Sequence, residues 1–204
     1  VPWVSDVPCF PEDSLSTMDA RPLVSAVLLY HDAQTAAEAS RAVAALFAQT
    51  EVRPLEVILV ENGGTAHAVI DIVPPEGVTL QRVRALENLG FGAGNNLGAK
   101  QALGQYLLIV NPDTRLRQGA LLIMVRFLKE HPQVGVVGPQ LVFPDGTIRD
   151  SFRSYPRLAD VLIKRTILRR FLPGRMHAYL QTGTDPNAVR EVDWLCGACL
   201  LMER

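Results

Sequence analysis

The sequence predicts an α/β domain with a mostly parallel central sheet flanked by helices. Short apolar runs alternate with helical patterns between residues 24 and 138, the order expected when crossover helices join parallel strands. The 204 residues are enough for one such domain with its own core. Hydrophobic residues make up 48% of the chain and charged residues 20%, which indicates a globular protein rather than a disordered one.

The first part of the chain alternates between the two kinds of element. Strands are predicted where apolar residues run unbroken or alternate, and helices where they recur every three or four positions. The predicted strands are 24–30, 55–60, 78–84 and 106–110. The predicted helices are 35–50, 65–72, 91–103 and 119–130, with turns at 31–34 and 61–64.

The last third of the chain departs from this alternation. After a fifth strand at 134–138, Pro144-Asp145-Gly146 predicts a hairpin between two short apolar runs. A basic, apolar helix is predicted over 156–172, and a loop followed by a late strand over 191–203. The C-terminal side therefore adds a hairpin and a late strand to the sheet.

Composition excludes several classes of function. The formal net charge of −1 argues against a nucleic-acid binder, and no apolar run approaches the ~18 residues that a spanning helix needs. The N-terminus shows no signal peptide, and three cysteines without an export signal favour a reducing, cytoplasmic location. Residues 1–22 carry four prolines and no periodicity, which indicates a tail or edge segment before a single domain over 23–204.

An acidic residue follows the most apolar strand. Tyr106 to Val110 should be buried on both faces, and Asn111-Pro112-Asp113 comes directly after it. Ligands of open α/β sheets bind at this carboxyl edge, and one carboxylate there suits Mg²⁺ or Mn²⁺ shared with a diphosphate. A strand-ending turn with a solvated Asp113 is the structural alternative.

A glycine-rich turn precedes the predicted helix at 91–103. Gly90, Gly92 and Gly94 allow close backbone approach, and the helix N-terminus behind them suits a diphosphate. The turn does not fit the dinucleotide fingerprint, because Asn95 stands where glycine is required. A tight strand–helix packing turn is the structural alternative here, and a solvated turn is the alternative for Glu61-Asn62 after the second strand.

Two further features allow more than one interpretation. Cys196-Gly197-Ala198-Cys199 has the spacing of a redox pair, although the apolar residues after it predict a strand rather than a helix. The basic segment over 156–175 suits either an anionic membrane surface or a helix packed on the core with a solvated basic face.

Taken together, these segments resemble the family 2 glycosyltransferases, specifically their rhamnosyltransferase-like branch with the GT-A fold. The resemblance covers about Val24 to Arg204. The segments that carry it, in chain order, are Val24–Asp32, Leu55–Gly63, Glu87–Asn96, Val110–Asp113, His131–Pro139, Phe143–Gly146 and Glu191–Ala198.

The resemblance implies inverting transfer from a nucleotide-diphosphate sugar to a saccharide or lipid-linked acceptor, typically a precursor of bacterial surface polysaccharide. It implies that Asp113 binds the metal, Mg²⁺ or Mn²⁺, and that Asp193 and Trp194 line the sugar and acceptor side. The residues that it implies for the nucleotide are Tyr30, Asp32, Glu61, Asn62, Asn88, Gly90, Gly92, Asn95 and Asn111.

The chain departs from the family pattern at three points. Asn111 stands where many relatives have the first Asp of Asp-x-Asp, and Glu61 stands where Asp is usual. In relatives a Glu-Asp pair beyond the segment that matches Asp193-Trp194 supplies the general base; no such pair follows that segment before Arg204, and Asp193 is the nearby substitute. We therefore expect a transferase, with a non-catalytic nucleotide-sugar-binding fragment and a thiol redox protein as alternatives.

Overall fold

The fold is an α/β sandwich around one central sheet. A computed structural model describes residues 21–63, 70–149, 151–153 and 188–204. In these residues six strands pair in the order β3-β2-β1-β4-β10-β5. Their bounds are β1 Val24–Tyr30, β2 Leu55–Asn62, β3 Val78–Ala85, β4 Tyr106–Val110, β5 Val136–Val137 and β10 Cys199–Glu203.

Four neighbouring strands of this sheet are parallel. β1 pairs in parallel with β2 on one side and with β4 on the other, and β3 extends the sheet beyond β2. The late strand β10 lies antiparallel between β4 and β5. The prediction of a mostly parallel sheet with a late C-terminal strand is confirmed.

Among the described residues, three helices cover the two faces of the sheet: α1 Ala33–Phe47, α2 Gly90–Ala99 and α3 Ala120–Glu130. Alternate residues of β1 point to opposite faces, so Leu28 packs in the core that includes α1 and α3, whereas Val27 packs in a second core that includes Leu97 of α2. The strands carry apolar residues on both faces because both faces are covered.

The ends of the helices differ from their predicted bounds. α1 begins at Ala33 because Asp32 is its N-cap: Asp32 Oδ1 accepts a hydrogen bond from the Thr35 amide at 2.7 Å, and Thr35 Oγ1 accepts one from the Asp32 amide at 3.0 Å. α2 ends at Ala99 rather than Leu103, since the backbone amides of Gln101 and Ala102 bond to carbonyls three residues back in a tighter turn.

The remaining segments give mixed outcomes. The predicted hairpin is confirmed as β6 Leu141–Val142 paired with β7 Ile148–Arg149, and β8 Phe152–Arg153 pairs with β9 Trp194–Leu195. Most of the helix predicted at 65–72 lies outside the described residues, and 70–72 are not helical. The predicted helix at 156–172 and residues 1–20 of the tail also lie outside them.

Candidate functional site

A row of three side chains crosses the carboxyl ends of β1, β2 and β3. In the sheet register Tyr30 pairs with Glu61, and Glu61 pairs with Arg84. Arg84 Nε lies 3.5 Å from Glu61 Oε2, and the Arg84 side chain is 53% exposed. The row therefore places a carboxylate between a phenol and a guanidinium at the edge where ligands of open α/β sheets bind.

The Glu61 carboxylate has unused hydrogen-bonding capacity. Its Oε1 is buried and has no partner among the described residues. Burial, and then the negative charge of Glu61, raise the pKa of the Tyr30 phenol, so the hydroxyl keeps its proton at neutral pH. A buried acceptor without a partner is costly in a folded protein, so Glu61 Oε1 is suited to accept a hydrogen bond from a ligand hydroxyl or amide.

Asn62 connects the end of β2 to the turn that opens α2. The side chain is only 5% exposed. Its Nδ2 donates to Asn88 Oδ1 and to the Gly90 carbonyl, each at 3.2 Å, and its Oδ1 accepts from the Leu89 amide at 3.0 Å. Asn62 is therefore occupied by the glycine-rich turn.

The first turn of α2 lies beside this connection. Gly90 has a φ of +75°, which explains a glycine at the position where the turn enters the helix. Asn95 is buried, and its Nδ2 donates to the Phe91 carbonyl at 2.9 Å, whereas its Oδ1 has no partner among the described residues. Gly92 has open space where a side chain would lie.

The loop after β4 meets the loop before β10. The Asn111 amide donates to the Ala198 carbonyl at 2.9 Å, and a Cβ at neighbouring Gly197 would lie 3.5 Å from the Phe91 ring. The fold thus brings the glycine-rich turn, the end of β4 and the 196–198 loop together. None of these contacts joins residues close in sequence, so the sequence alone did not reveal them.

Asp113 is exposed just beyond this junction, and the Thr114 hydroxyl lies 3.5 Å from its Oδ1. In the described part of the chain, no group of three or more His, Cys, Asp and Glu side chains is arranged to hold a metal. A single exposed carboxylate fits Mg²⁺ or Mn²⁺ bound together with water and substrate phosphate, the usual mode for Mg²⁺ at phosphate sites.

Three other predicted site residues also lie in the described part of the chain. The Asp32 carboxylate caps α1, and the hydrogen bond from the Thr35 amide lowers its pKa. Asp193 is exposed directly before β9, and Trp194 is 47% exposed within that strand. Sequence reasoning missed Arg84 and Phe91, although the position of Arg84 near the end of the third strand is a usable signal once the strands are aligned.

Comparison with known proteins identifies the family. The sequence profile described as Glycosyl transferase family 2 matches residues 25–184. The chain belongs to glycosyl transferase family 2. The prediction of this family from the ordered sequence segments is confirmed.

Two curated relatives illustrate the similarity of this family 2 chain. It is 32% identical over 181 residues to the N-acetylglucosaminyl-diphospho-decaprenol L-rhamnosyltransferase of Mycobacterium tuberculosis, a match that covers 80% of the chain and 56% of the relative. It is 34% identical over 106 residues to the O-antigen biosynthesis protein RfbC of Myxococcus xanthus, covering 51% of the chain and 8% of that protein. The chain thus spans little more than half of the first relative.

Solved glycosyltransferases share the fold. The mannosyltransferase PcManGT from Pyrobaculum calidifontis, solved with GDP-Man and Mn²⁺, has a TM-score of 0.51 and 21% identity over 61% of this chain and 37% of its own. Residues 1–349 of S. aureus TarS with UDP have a TM-score of 0.52 and 21% identity over 63% of this chain and 39% of theirs. The predicted GT-A fold is confirmed.

Two other predictions concern the cysteine pair and contact with a membrane. Burial raises the pKa of the Cys199 thiol to about 12, the opposite of what the redox interpretation requires of that cysteine. None of the described helices has the length and apolar character needed to cross a membrane.

A cavity of about 490 Å³ lies at the opposite edge of the sheet, lined by Arg53, Gly104 and Lys129 among others, and it contains none of the predicted site residues.

Proposed function

We propose that this chain binds a nucleotide-diphosphate sugar at the carboxyl edge of its sheet and transfers the sugar, with inversion, to a saccharide or lipid-linked acceptor. The observation that carries the proposal is the convergence at this edge of the buried Glu61 oxygen, the glycine-rich turn and Asp113. The name of the M. tuberculosis relative includes a rhamnosyl donor group and a lipid-linked diphosphate. This supports a rhamnose-like or other hexose and a lipid-linked acceptor.

Each part of the site has a proposed role. Tyr30 and Glu61 contact the base and ribose, with the free Glu61 Oε1 accepting a hydrogen bond from the nucleoside. The amides at the start of α2 face the diphosphate, because first-turn amides lack partners within a helix and favour anions. Asp113 would hold Mg²⁺ or Mn²⁺, which stabilises negative charge on the leaving diphosphate when it is bound.

The transfer step itself needs a carboxylate on the acceptor side. The acceptor oxygen bonds to the anomeric carbon as the bond from that carbon to the diphosphate oxygen breaks, and the hydroxyl proton passes to a carboxylate. Asp193 is the proposed base within this chain because it is exposed beside β9. Trp194 next to it offers an exposed ring to the sugar or acceptor.

A lipid-linked acceptor would place the reaction at a membrane surface, which we propose is the cytoplasmic face. The basic segment over 156–175 is the part of the sequence suited to contact anionic lipid there. Vesicle binding that is unchanged when the basic residues of this segment are replaced would contradict this part of the proposal.

The donor site is tested by replacing Asp113. Asp113→Asn removes the charge that holds the cation but keeps the size of the side chain, so Mn²⁺-dependent affinity for UDP, GDP or dTDP should fall at least about tenfold, equivalent to about 1.4 kcal/mol. Titration calorimetry with and without Mn²⁺ measures it. The matched control is Glu51→Gln, an exposed carboxylate before the amino end of β2. Unchanged Mn²⁺ dependence in Asp113→Asn would contradict the proposed metal site.

The same protein separates transfer from binding alone. Release of nucleoside diphosphate from UDP-, GDP- and dTDP-sugars is followed with and without a lipid-linked saccharide acceptor. Acceptor-stimulated release that falls in Asp193→Asn supports the enzyme, whereas donor binding with no release under any condition supports the non-catalytic alternative.

A further inference from the structure

The turn that opens α2 is tied to β2 by two asparagine side chains. Asn62, buried at the end of β2, donates from Nδ2 to Asn88 Oδ1 and to the Gly90 carbonyl. Asn88, which is exposed, accepts a second hydrogen bond at the same Oδ1 from the Gly90 amide at 2.9 Å. Asn62 and Asn88 are 26 residues apart, so the sheet register brings them together.

Backbone donors determine the orientation of both amides. A backbone N–H can only donate, so the Asn62 atom that faces the Leu89 amide and the Asn88 atom that faces the Gly90 amide must be oxygens. It follows that Nδ2 of Asn62 is the atom that donates to Asn88 Oδ1 and to the Gly90 carbonyl. Nδ2 of Asn88 is the remaining end of that side chain, and it makes no hydrogen bond with any described residue.

Two glycines leave room for this arrangement. Gly63 has a φ of +72°, and a Cβ there would lie 2.0 Å from the Asn88 backbone nitrogen. A Cβ at Gly94 would lie 2.5 Å from Leu29 Cδ2 and 3.2 Å from Asn62 Nδ2. The backbone after β2 is therefore in direct contact with the turn, and α2 lies close against the Asn62 amide.

We propose that Asn62 is a positioning residue that orients Asn88 so that the Nδ2 donors of Asn88 face a phosphate oxygen of a bound nucleoside diphosphate. This inference rests on the proposed function and assigns Asn62 an indirect role, through the turn, in place of contact with the base. The ligand group is a hydrogen-bond acceptor because only donors are left. The first-turn amides of α2 follow directly in the chain, which favours a phosphate oxygen over a base carbonyl.

The main test substitutes the donor end of the Asn62 amide. Asn62→Asp keeps the shape and the acceptor for the Leu89 amide, but it sets an oxygen against Asn88 Oδ1 and the Gly90 carbonyl. Affinity for UDP, measured by calorimetry with Mn²⁺, should fall at least about tenfold, whereas affinity for uridine should change less than about threefold. The corresponding guanosine and thymidine series are measured in the same way, with UMP, GMP and dTMP as intermediate ligands.

Two further variants separate positioning from general destabilisation. Gln81→Met removes a different side-chain hydrogen bond, from Gln81 Nε2 to Glu56 Oε1, and should leave the ratio of diphosphate to nucleoside affinity unchanged. Asn88→Ala, at an exposed position, should lose diphosphate affinity as Asn62→Asp does. The double variant Asn62→Ala/Asn88→Ala should bind UDP no more weakly than the single variant, Asn62→Ala or Asn88→Ala, that binds it less well. The losses should not add because both substitutions act through one contact.

Each result decides the inference. Equal loss of uridine and UDP affinity in Asn62→Asp, full UDP affinity in Asn88→Ala, or additive losses in the double variant would overturn it. If the wild-type protein binds none of the nucleotides, the proposed function fails, and the ligand role of Asn88 fails with it. Hydrogen exchange judges the contact itself without ligand: the Leu89 and Gly90 amides should exchange faster in Asn62→Ala, and unchanged protection would refute the contact.

Discussion

Glu56 shows how a single charged residue can belong to the interior of a parallel sheet. It is 1% exposed, and its carboxylate accepts hydrogen bonds from the Ser25 hydroxyl, from the Leu103 amide at 2.9 Å and from Gln81 Nε2 at 3.1 Å. Ser25 Oγ in turn accepts from the Gly104 amide at 2.8 Å. Glu56, directly and through Ser25, thus provides hydrogen-bond acceptors for backbone amides in the segment that leads into β4. The buried carboxylate is tolerated because its oxygens accept hydrogen bonds.

Cys199 provides a prediction at the same scale. Its thiol is buried, so iodoacetamide at pH 8 should modify Cys196 in the native protein well before Cys199, as measured by peptide mass spectrometry. Addition of urea should remove the difference. Comparable native rates at both positions would contradict the burial of Cys199 and restore the redox alternative.

The raised pKa of Cys199 makes the stability of the folded protein fall as the pH rises. Because the folded-state pKa lies above the ordinary value of 9.0, the contribution of the neutral thiol is fully present below pH 9 and is lost as the pH rises towards about 12. Cys199→Ala should therefore lose less stability than the wild-type protein over that range.

At the scale of the element, the amino end of α3 is capped by a side chain that lies just after the end of α1. Gly119 precedes α3 and supplies no side-chain cap. Gln49, fully buried after α1, accepts from the Leu121 amide through Oε1 at 3.3 Å and donates from Nε2 to the Arg117 carbonyl at 3.0 Å. A long-range cap therefore replaces the local one, and it also holds the loop that carries Asp113.

Gln49→Leu should lower the free energy of unfolding by about 1 to 3 kcal/mol, because it leaves a buried amide and a carbonyl without partners. Urea denaturation with an unchanged slope measures the loss. Gln34→Leu, at an exposed position in the first turn of α1, is the control and should change stability by less than about 0.5 kcal/mol. Equal effects of the two substitutions would contradict the cap.

Two glycines of α2 give a matched pair of substitutions. A Cβ at Gly98 would lie 2.5 Å from Val27 Cγ1 and 2.9 Å from Val60 Cγ2, whereas Gly92 has open space. Gly98→Ala should destabilise by about 1 to 3 kcal/mol through overpacking against the sheet. Gly92→Ala should gain up to about 1 kcal/mol from helix propensity. Thermal unfolding distinguishes them, and a stabilising Gly98→Ala would contradict the close approach of α2.

At the scale of the whole molecule, binding at the carboxyl edge should stabilise the folded domain. A nucleoside diphosphate at 100 times its Kd adds about 2.7 kcal/mol, which for a domain of this size raises Tm by about 5 to 10 °C. Thermal shift with UDP, GDP or dTDP and Mn²⁺ should show the increase, and EDTA should reverse most of it. A shift of the same size with EDTA throughout would contradict metal-assisted binding.

How much of the candidate site could be predicted depends on how far apart in the sequence the interacting residues lie. Asn111-Pro112-Asp113 and the glycine-rich turn could be proposed from the sequence because each is a contiguous segment that follows a predicted strand. The pairing of Glu61 with Arg84 and of Asn62 with Asn88 was not found, since each depends on the register of neighbouring strands. The observed helix ends likewise differ from the predicted ones, because a side-chain cap and hydrogen bonds in a tight turn determine where the helices begin and end.

The sequence by itself determined the class of fold, the order of its parallel strands along the chain and the family, and it predicted a ligand site at the carboxyl edge of the sheet. Periodicity and turn residues are local properties, so they can be read without coordinates. Only the tertiary structure decided that Asn62 binds the turn, that Gln49 caps α3 and that Cys199 is buried. These depend on residues brought together from distant positions, because hydrogen bonding and burial are set by which segments pack against each other.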